Sequence, residues 1–231
     1  MRLKKLLALL AIMSFLGTVS YAVPASDGKN KDIERIDFIH YAKASQGKPA
    51  KTDSCYKLMG VKWAGLPVSY AINPTNPQGL SRDFVTGAIS TAAETWDAAT
   101  PKELFNNAYG VDYSAAYGVK DSKNSIVFGD YPNSGVIAIT SVWYNKRTRE
   151  IVEFDMLFNT RFIWGDATQD QSKMDLQNIA AHELGHSVGL DDLYTTSCSA
   201  VTMYGYSSEG EIIKKTLEQP DITGLQKMYG V

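Results

Sequence analysis

The segment HELGHSVGLDD, residues 182–192, contains the side chains best suited to metal chemistry. It holds two of the chain's three histidines, His182 and His186, with Glu183 between them. On a helix, residues four positions apart lie on one side, so both imidazoles can bind one ion. Neutral imidazole suits zinc. Glu183 projects about 100° away from His182, where it can accept a proton from a water molecule that the zinc activates.

A third zinc ligand must come from elsewhere, and two aspartates follow the histidines. Gly189 lies three residues after His186, and glycine often ends a helix in the left-handed conformation. A turn there would return the chain to the ion at Asp192, and a carboxylate is a competent zinc ligand. We therefore predict Asp192 as the third ligand. Asp191 is the rival, with an outer hydrogen bond or simple solvation as its other role.

The third histidine, His40, lies in a polar, lysine-rich stretch near the N-terminus. The sequence favours a solvated surface residue at this position rather than a ligand. A short amphipathic patch covers about Ile33 to Tyr41. We expect residues 23–58 to form a polar N-terminal segment that is loosely ordered over about residues 23–54.

Hydrophobic periodicity and turn signals predict the elements that position the motif. The turn KRTR joins the last two strands as a hairpin, and Ser81 is positioned to cap the first helix. The order of elements predicts one α/β (α+β) domain with a mixed twisted sheet, large enough to bury a core. The predicted strands are 66–73, 125–131, 135–145 and 151–160, and the predicted helices are Arg82–Ala98, one from Ser172 or Asp175 through the motif, and Gln219–Tyr229.

Residues 1–22, MRLKKLLALLAIMSFLGTVSYA, have the features of a secretory signal peptide. A basic start precedes an apolar run of about a dozen residues, which is short for a membrane span. Ser20 and Ala22 fit a cleavage site. We expect a secreted chain that does not associate with membranes after signal removal; the alternative is a retained N-terminal anchor.

The charge balance argues against a nucleic-acid partner. Residues 1–22 contain three basic residues and no acid, so the remainder carries 20 basic against 25 acidic residues. No dense basic run is present in the sequence.

Together these residues resemble the metzincin zinc endopeptidases, and among them the matrixins. The family motif H-E-x-x-H-x-x-G-x-x-H or D reads HELGHSVGLDD here, and Met203 in VTMYGY is similar to the methionine turn under the zinc. Segments such as GVIAIT, EFDMLFNTRFIWG and PDITGLQKMYG extend the resemblance over residues 59–231, the expected catalytic domain. Aspartate as third ligand is similar to the snapalysin-type variant. Gly205 stands where the family has a proline after the methionine turn.

The resemblance implies a secreted, monomeric endopeptidase with one catalytic Zn²⁺ and protein or peptide substrates. It implies that an extended peptide pairs with an edge strand around Val136–Thr140. Tyr204 or Tyr206 would help hold the oxyanion, or would simply line the pocket. Calcium is a further candidate cofactor. Its candidate ligands, which also fit as ordinary surface acids, are Asp112, Asp121, Asp130 and Asp155.

The two cysteines, Cys55 and Cys198, allow two interpretations. In an exported chain they can form a disulfide. Alternatively, the Cys55 thiolate occupies the open zinc position as a latency switch, although TDSCYKLMG lacks the family's PRCGxPD pattern.

The activity also has alternatives. One is a catalytically silent zinc-binding surface or matrix module of the same fold, and the other is a zinc hydrolase acting on a non-peptide bond. Glu183 argues against the silent module, because a glutamate there has no structural need.

Overall fold

The computed structural model describes residues 31–42 and 55–231. The predicted signal peptide, residues 1–22, lies outside these ranges, as does much of the predicted N-terminal segment. Over the two described ranges, no helix has the length and apolarity needed to cross a bilayer.

A mixed sheet of seven strands forms the centre of the domain, in the order β3-β2-β4-β6-β5-β1-β9. Strands β2, β4 and β6 run parallel to one another, and β5 runs antiparallel to β6. Two further strands, β7 and β8, form a separate pair. This arrangement confirms the predicted α/β (α+β) class. The strands are β1 (Ile33–Ala42), β2 (Ala71–Ile72), β3 (Gly110–Val111), β4 (Ser125–Gly129), β5 (Val136–Asn145), β6 (Glu150–Asn159), β7 (Trp164–Gly165), β8 (Met174–Asp175) and β9 (Tyr206–Ser207).

The three described α-helices begin at, or within one residue of, a predicted start, and Ser81 caps the first of them as predicted. The described elements include α1 (Arg82–Asp97), α2 (Leu176–Ser187), α3 (Gln219–Tyr229) and short 3-10 helices at Thr196–Cys198 and Ile213–Lys215. The Ser81 hydroxyl accepts the Phe84 N–H at 3.2 Å, and the Asp175 carboxylate accepts the Asn178 N–H at 2.9 Å. These bonds satisfy donors that the first helical turn leaves free. The motif helix therefore starts after Asp175 rather than at Ser172.

Helix α2 is buried on almost every side. The indole N–H of Trp96 on α1 donates to the Ala181 carbonyl at 2.8 Å. A Cβ at Gly185 would lie 2.2 Å from the Met203 sulfur and 2.7 Å from the Trp96 ring. Glycine is therefore required here for α1, α2 and the Met203 segment to pack closely. This packing fixes the helix that carries both histidines.

The predicted strand over residues 66–73 is largely wrong, because only Ala71–Ile72 forms a strand. Pro67 has no N–H to contribute to a ladder. Val68 instead forms an isolated bridge with Phe105.

The prediction of a loosely ordered N-terminal segment is wrong for residues 33–42, which form β1. This strand pairs antiparallel with β5, from Ile33 opposite Asn145 to Tyr41 opposite Val136. The resemblance implied that β5 is an edge strand, and this is wrong here because β1 covers that edge. The charged side chains that made β1 look solvated have partners on the sheet: the Ser141 hydroxyl donates to Asp37 at 2.7 Å.

Cys55 and Cys198 are joined by a disulfide in the structure. Cys198 is buried in the core, a few residues after Asp192. The bond thus connects Cys55, just before the predicted catalytic domain, to the loop between Asp192 and Met203.

The disulfide leads to a prediction for the protein in solution. Thiol titration of the denatured, unreduced chain is expected to detect no reactive thiol. Replacing both cysteines by serine should lower the free energy of unfolding by up to about 5 kcal/mol, because a long loop is then no longer closed. Two reactive thiols per chain would contradict the pairing.

Candidate metal centre

Three side chains from α2 and the turn after it converge on one point. The Nε2 atoms of His182 and His186 lie 3.1 Å apart. Asp192 Oδ1 lies 3.2 Å from the first and 3.5 Å from the second. Ligands bound tetrahedrally to zinc at ~2.0–2.1 Å would be roughly 3.3 Å from one another. The three atoms therefore fit a zinc ion, and all three side chains are buried.

Backbone carbonyls orient both imidazoles. His182 Nδ1 donates to the Thr202 carbonyl at 2.7 Å, and His186 Nδ1 donates to the Leu190 carbonyl at 2.9 Å. Since a carbonyl only accepts, the proton is on Nδ1 and each Nε2 lone pair points to the centre. This is the tautomer that a metal ligand requires.

The two carboxylate oxygens of Asp192 have different surroundings. Its Oδ2 accepts a hydrogen bond from the Tyr194 hydroxyl at 2.9 Å, whereas its buried Oδ1 has no hydrogen-bond partner. A buried, unpaired carboxylate oxygen beside two imidazole lone pairs needs a cation.

Gly189 makes the turn that returns Asp192 to the histidines. Its φ is 103°, and a Cβ there would lie 2.3 Å from the Val61 carbonyl oxygen. Both the left-handed backbone and the close approach require glycine. The rival Asp191 points away, with Oδ2 2.7 Å from Lys57 Nζ. Of the two aspartates, the structure brings Asp192 to the histidines.

This geometry predicts different metal affinities for two matched variants. Loss of a residue that only hydrogen-bonds a metal ligand typically weakens metal binding by about 10–100-fold. Asp192→Ala removes a ligand itself and should weaken zinc binding by more than that. Asp191→Ala should weaken it much less, since its carboxylate contacts Lys57. Zinc content after dialysis against graded chelator concentrations measures both, and the reverse ranking would make Asp191 the ligand.

Glu183 lies beside the three candidate ligands and is completely buried. Its Oε2 accepts a hydrogen bond from the Thr140 hydroxyl on β5 at 2.6 Å, and its Oε1 has no hydrogen-bond partner. Burial raises the pKa of Glu183 to about 7. A bound cation would lower this pKa. An ionised carboxylate with one free oxygen is suited to accept a proton from water and to return it.

Met203 and the turn around it pack against the helix that carries the two histidines. The sulfur of Met203 packs against Gly185 on α2. The N–H groups of Thr202 and Met203 donate to the buried Asp221 carboxylate at 2.9 and 3.2 Å. Because the Thr202 carbonyl holds His182, Asp221 fixes the position of a ligand through this turn.

Strand β1 adds two residues that the sequence did not assign to the site. The Phe38 ring stacks on His186, with centroids 4.1 Å apart. The His40 ring lies against His182, with centroids 3.9 Å apart. His40 is only 1% exposed, so the prediction of a solvated surface residue is wrong. The sequence does contain one signal: Phe38 and His40 are two positions apart, which puts both side chains on one face of a strand.

The other predicted residues have contacts of their own in the structure. Tyr204 and Tyr206 form an aromatic cluster with Tyr194, with centroids 5.3–5.7 Å apart, as wall residues would. Among the described residues, the groups of histidines and acids close enough to share an ion contain none of the calcium candidates. Asp130 pairs with Arg161 at 2.6 Å, and Asp155 accepts the Gly118 N–H at 2.8 Å. Tyr194, Thr140 and Asp221 were not predicted, because their roles depend on tertiary contacts.

Comparison with known proteins gives consistent matches over this region. The family model described as Matrixin matches residues 62–230. The chain is 30% identical over 171 residues to neutrophil collagenase of Homo sapiens, covering 74% of this chain and 34% of that protein. It is 30% identical over 171 residues to stromelysin-1 of Rattus norvegicus, covering 73% and 33%. It is 28% identical over 170 residues to interstitial collagenase of Oryctolagus cuniculus, covering 73% and 33%. The chain thus spans about a third of the length of these curated relatives.

Proposed function

Since the chain belongs to the matrixin family, we propose that it is a secreted zinc endopeptidase that hydrolyses peptide bonds in proteins. The observation that carries the proposal is the spacing of three buried ligand atoms, 3.1–3.5 Å from one another, beside the free oxygen of Glu183. In this proposal His182, His186 and Asp192 hold one Zn²⁺, with aspartate as the snapalysin-type third ligand. Met203 forms the methionine turn.

Zn²⁺ in this position would polarise the scissile carbonyl and make the attacking water more acidic. Glu183 accepts the proton of that water through Oε1 and then delivers it to the leaving amine nitrogen. The Thr140 hydroxyl binds the other carboxylate oxygen at 2.6 Å. It therefore holds Glu183 in one orientation through the reaction.

The substrate in this proposal is an extended peptide that adds to β5 around Val136–Thr140. The fit of β1 along this edge supports it, because a strand can be accommodated there with its side chains directed at the centre. The peptide requires the same edge of β5 that β1 uses. The substrate therefore binds only when β1 is away from β5.

Two observations favour this proposal over its rivals. A silent module would have no use for Glu183, whose buried Oε1 lacks a hydrogen-bond partner and is costly to keep. A hydrolase of non-peptide bonds would have no use for a strand edge beside the metal centre. The proposal further includes a signal peptide over residues 1–22, a catalytic domain over residues 59–231 and a monomeric state.

Digestion of casein or gelatin tests the proposed function. The full chain carries a specific protease site within residues 43–54, is cut there after folding, and is freed of the N-terminal peptide. Cleavage of the substrate is expected, a zinc chelator should stop it, and added Zn²⁺ should restore it. A zinc-loaded chain that cleaves neither protein would favour the silent module, and hydrolysis confined to a non-peptide ester would favour the other rival.

A further inference from the structure

We propose that β1 (Ile33–Ala42) is an intramolecular inhibitor, which takes the place of the substrate on β5 and puts His40 where the attacking water must lie. The effect on activity rests on the proposed function. The shielding of the metal centre does not, and it can be measured separately.

The first observation is that β1 lies between two strands, β5 and β9, and pairs with both. On one side it pairs with β5 along most of its length. On the other side Tyr41 and Ala42 pair with Tyr206 and Ser207 of β9. Each strand edge offers one row of N–H and C=O groups, and a second strand cannot pair with the same row. While β1 is in place, a substrate peptide cannot bind β5.

The second observation concerns the side chains that β1 directs inward. Phe38 and His40 are two residues apart and therefore lie on the same face of the strand. Phe38 covers the His186 ring and His40 covers the His182 ring. Both of these β1 side chains are buried. The strand thus covers the two imidazoles that the proposed zinc ion needs.

The third observation is the position of His40 relative to Glu183. His40 Nδ1 lies 3.3 Å from Glu183 Oε1, the oxygen that Thr140 does not bind. The attacking water must lie within hydrogen-bond reach of this oxygen. The His40 ring occupies that space and therefore excludes the water.

The fourth observation is that folding alone does not explain His40. Neither ring nitrogen has a hydrogen-bond partner in the described part of the chain. Apart from the 3.3 Å contact with Glu183, the buried imidazole lacks a hydrogen bond, which is unfavourable, and an apolar residue would pack on β1 without this cost. A role at the centre explains why a histidine stands beside Glu183.

Tethering makes even a weak inhibitor effective. Covalent linkage over a short stretch of chain gives an effective concentration of about 1 mM, so a peptide with an inhibition constant of about 10 μM would produce roughly 100-fold latency. The disulfide attaches Cys55 to Cys198. A cut between β1 and Cys55 therefore separates the strand from the domain without freeing residue 55.

The test uses the full chain with the protease site described above, before and after cutting and removal of the peptide. Hydrolysis of a quenched fluorescent peptide is expected to rise by roughly 100-fold on cutting. Added synthetic peptide of sequence KDIERIDFIHYA, residues 31–42, should restore the inhibition competitively. Equal activity before and after cutting would overturn the proposal.

A matched pair of peptides separates the role of His40 from strand pairing alone. His40→Ala should weaken inhibition by at least about tenfold, which corresponds to one lost buried contact. Ile39→Ala is the control, because Ile39 packs on the opposite face of the sheet, against the cluster of Val127, Ile139 and Leu157. Equal loss for both peptides would overturn the role of His40. The same two substitutions in the uncut chain should raise activity in the same order.

A second readout does not depend on catalysis. The rate at which a chelator removes zinc should be at least about tenfold slower from the uncut chain, because β1 must first leave β5. Equal rates would overturn the shielding. If cutting speeds zinc removal but no peptide is hydrolysed, the proposed function fails while the shielding by β1 stands.

Discussion

Replacing Glu183 by glutamine is expected to remove nearly all peptidase activity and to leave zinc content unchanged. Glutamine keeps the size of the side chain and its bond to the Thr140 hydroxyl, but it cannot accept the proton of the attacking water. A positioned general base contributes at least about 10²-fold to the rate. The measurement is hydrolysis of a fluorescent peptide by the cut and freed chain, with zinc determined in the same samples.

The matched control is Glu153→Gln, the same chemical change at a second buried glutamate. Glu153 accepts backbone N–H groups from Asp121 and Ser122, at 2.9 and 2.6 Å. It is not among the groups of side chains that could hold the metal. The peptidase activity of the Glu153→Gln variant should therefore stay close to that of the unchanged protein. A Glu183→Gln variant that keeps more than about a tenth of the activity would contradict the assignment of Glu183 as the base.

Gly189→Ala is expected to have the second large effect, on both stability and metal binding. The left-handed backbone costs alanine about 1–2 kcal/mol, and the clash of its Cβ with the Val61 carbonyl costs about 1–3 kcal/mol more. The turn can relieve this strain only by moving Asp192 from the histidines. Urea unfolding should show a loss of about 2–5 kcal/mol, and zinc affinity should fall as well.

Gly79→Ala is the control for the strain alone. Gly79 has a φ of 73°, but a Cβ there would meet nothing within 4 Å. It should therefore lose only the about 1–2 kcal/mol of backbone strain and keep its zinc affinity. Equal losses for the two variants would show that the contact with Val61 carries no weight.

Local signals in the sequence predicted the helices, and they predicted that His182, His186 and Asp192 lie close together. The side chains of Ser81 and Asp175 each accept the N–H group three residues later, so each helix start depends only on neighbouring residues. The spacing of His182 and His186 is likewise a property of one helix. The left-handed turn at Gly189 needs only the residue itself, and it indicated Asp192 correctly as the aspartate near the histidines.

Features that depend on distant partners were not predictable. β1 pairs with a strand about 100 residues further along the chain, and its charged residues gave it the composition of a solvated segment. His40 is buried only because that pairing forms. The role of Asp221 depends on the backbone of Thr202 and Met203, which reach it through tertiary packing. No local pattern in the sequence contains these contacts.

Titration of the metal-free, cut and freed chain with Zn²⁺ tests the central claim most directly. The account predicts that hydrolysis of a peptide bond appears with the first zinc bound, rises in proportion to it and saturates at one zinc ion per chain. In the Asp192→Ala chain the same rise should require a higher zinc concentration. Tight binding of one zinc ion with no hydrolysis, or hydrolysis that is independent of zinc, would contradict it.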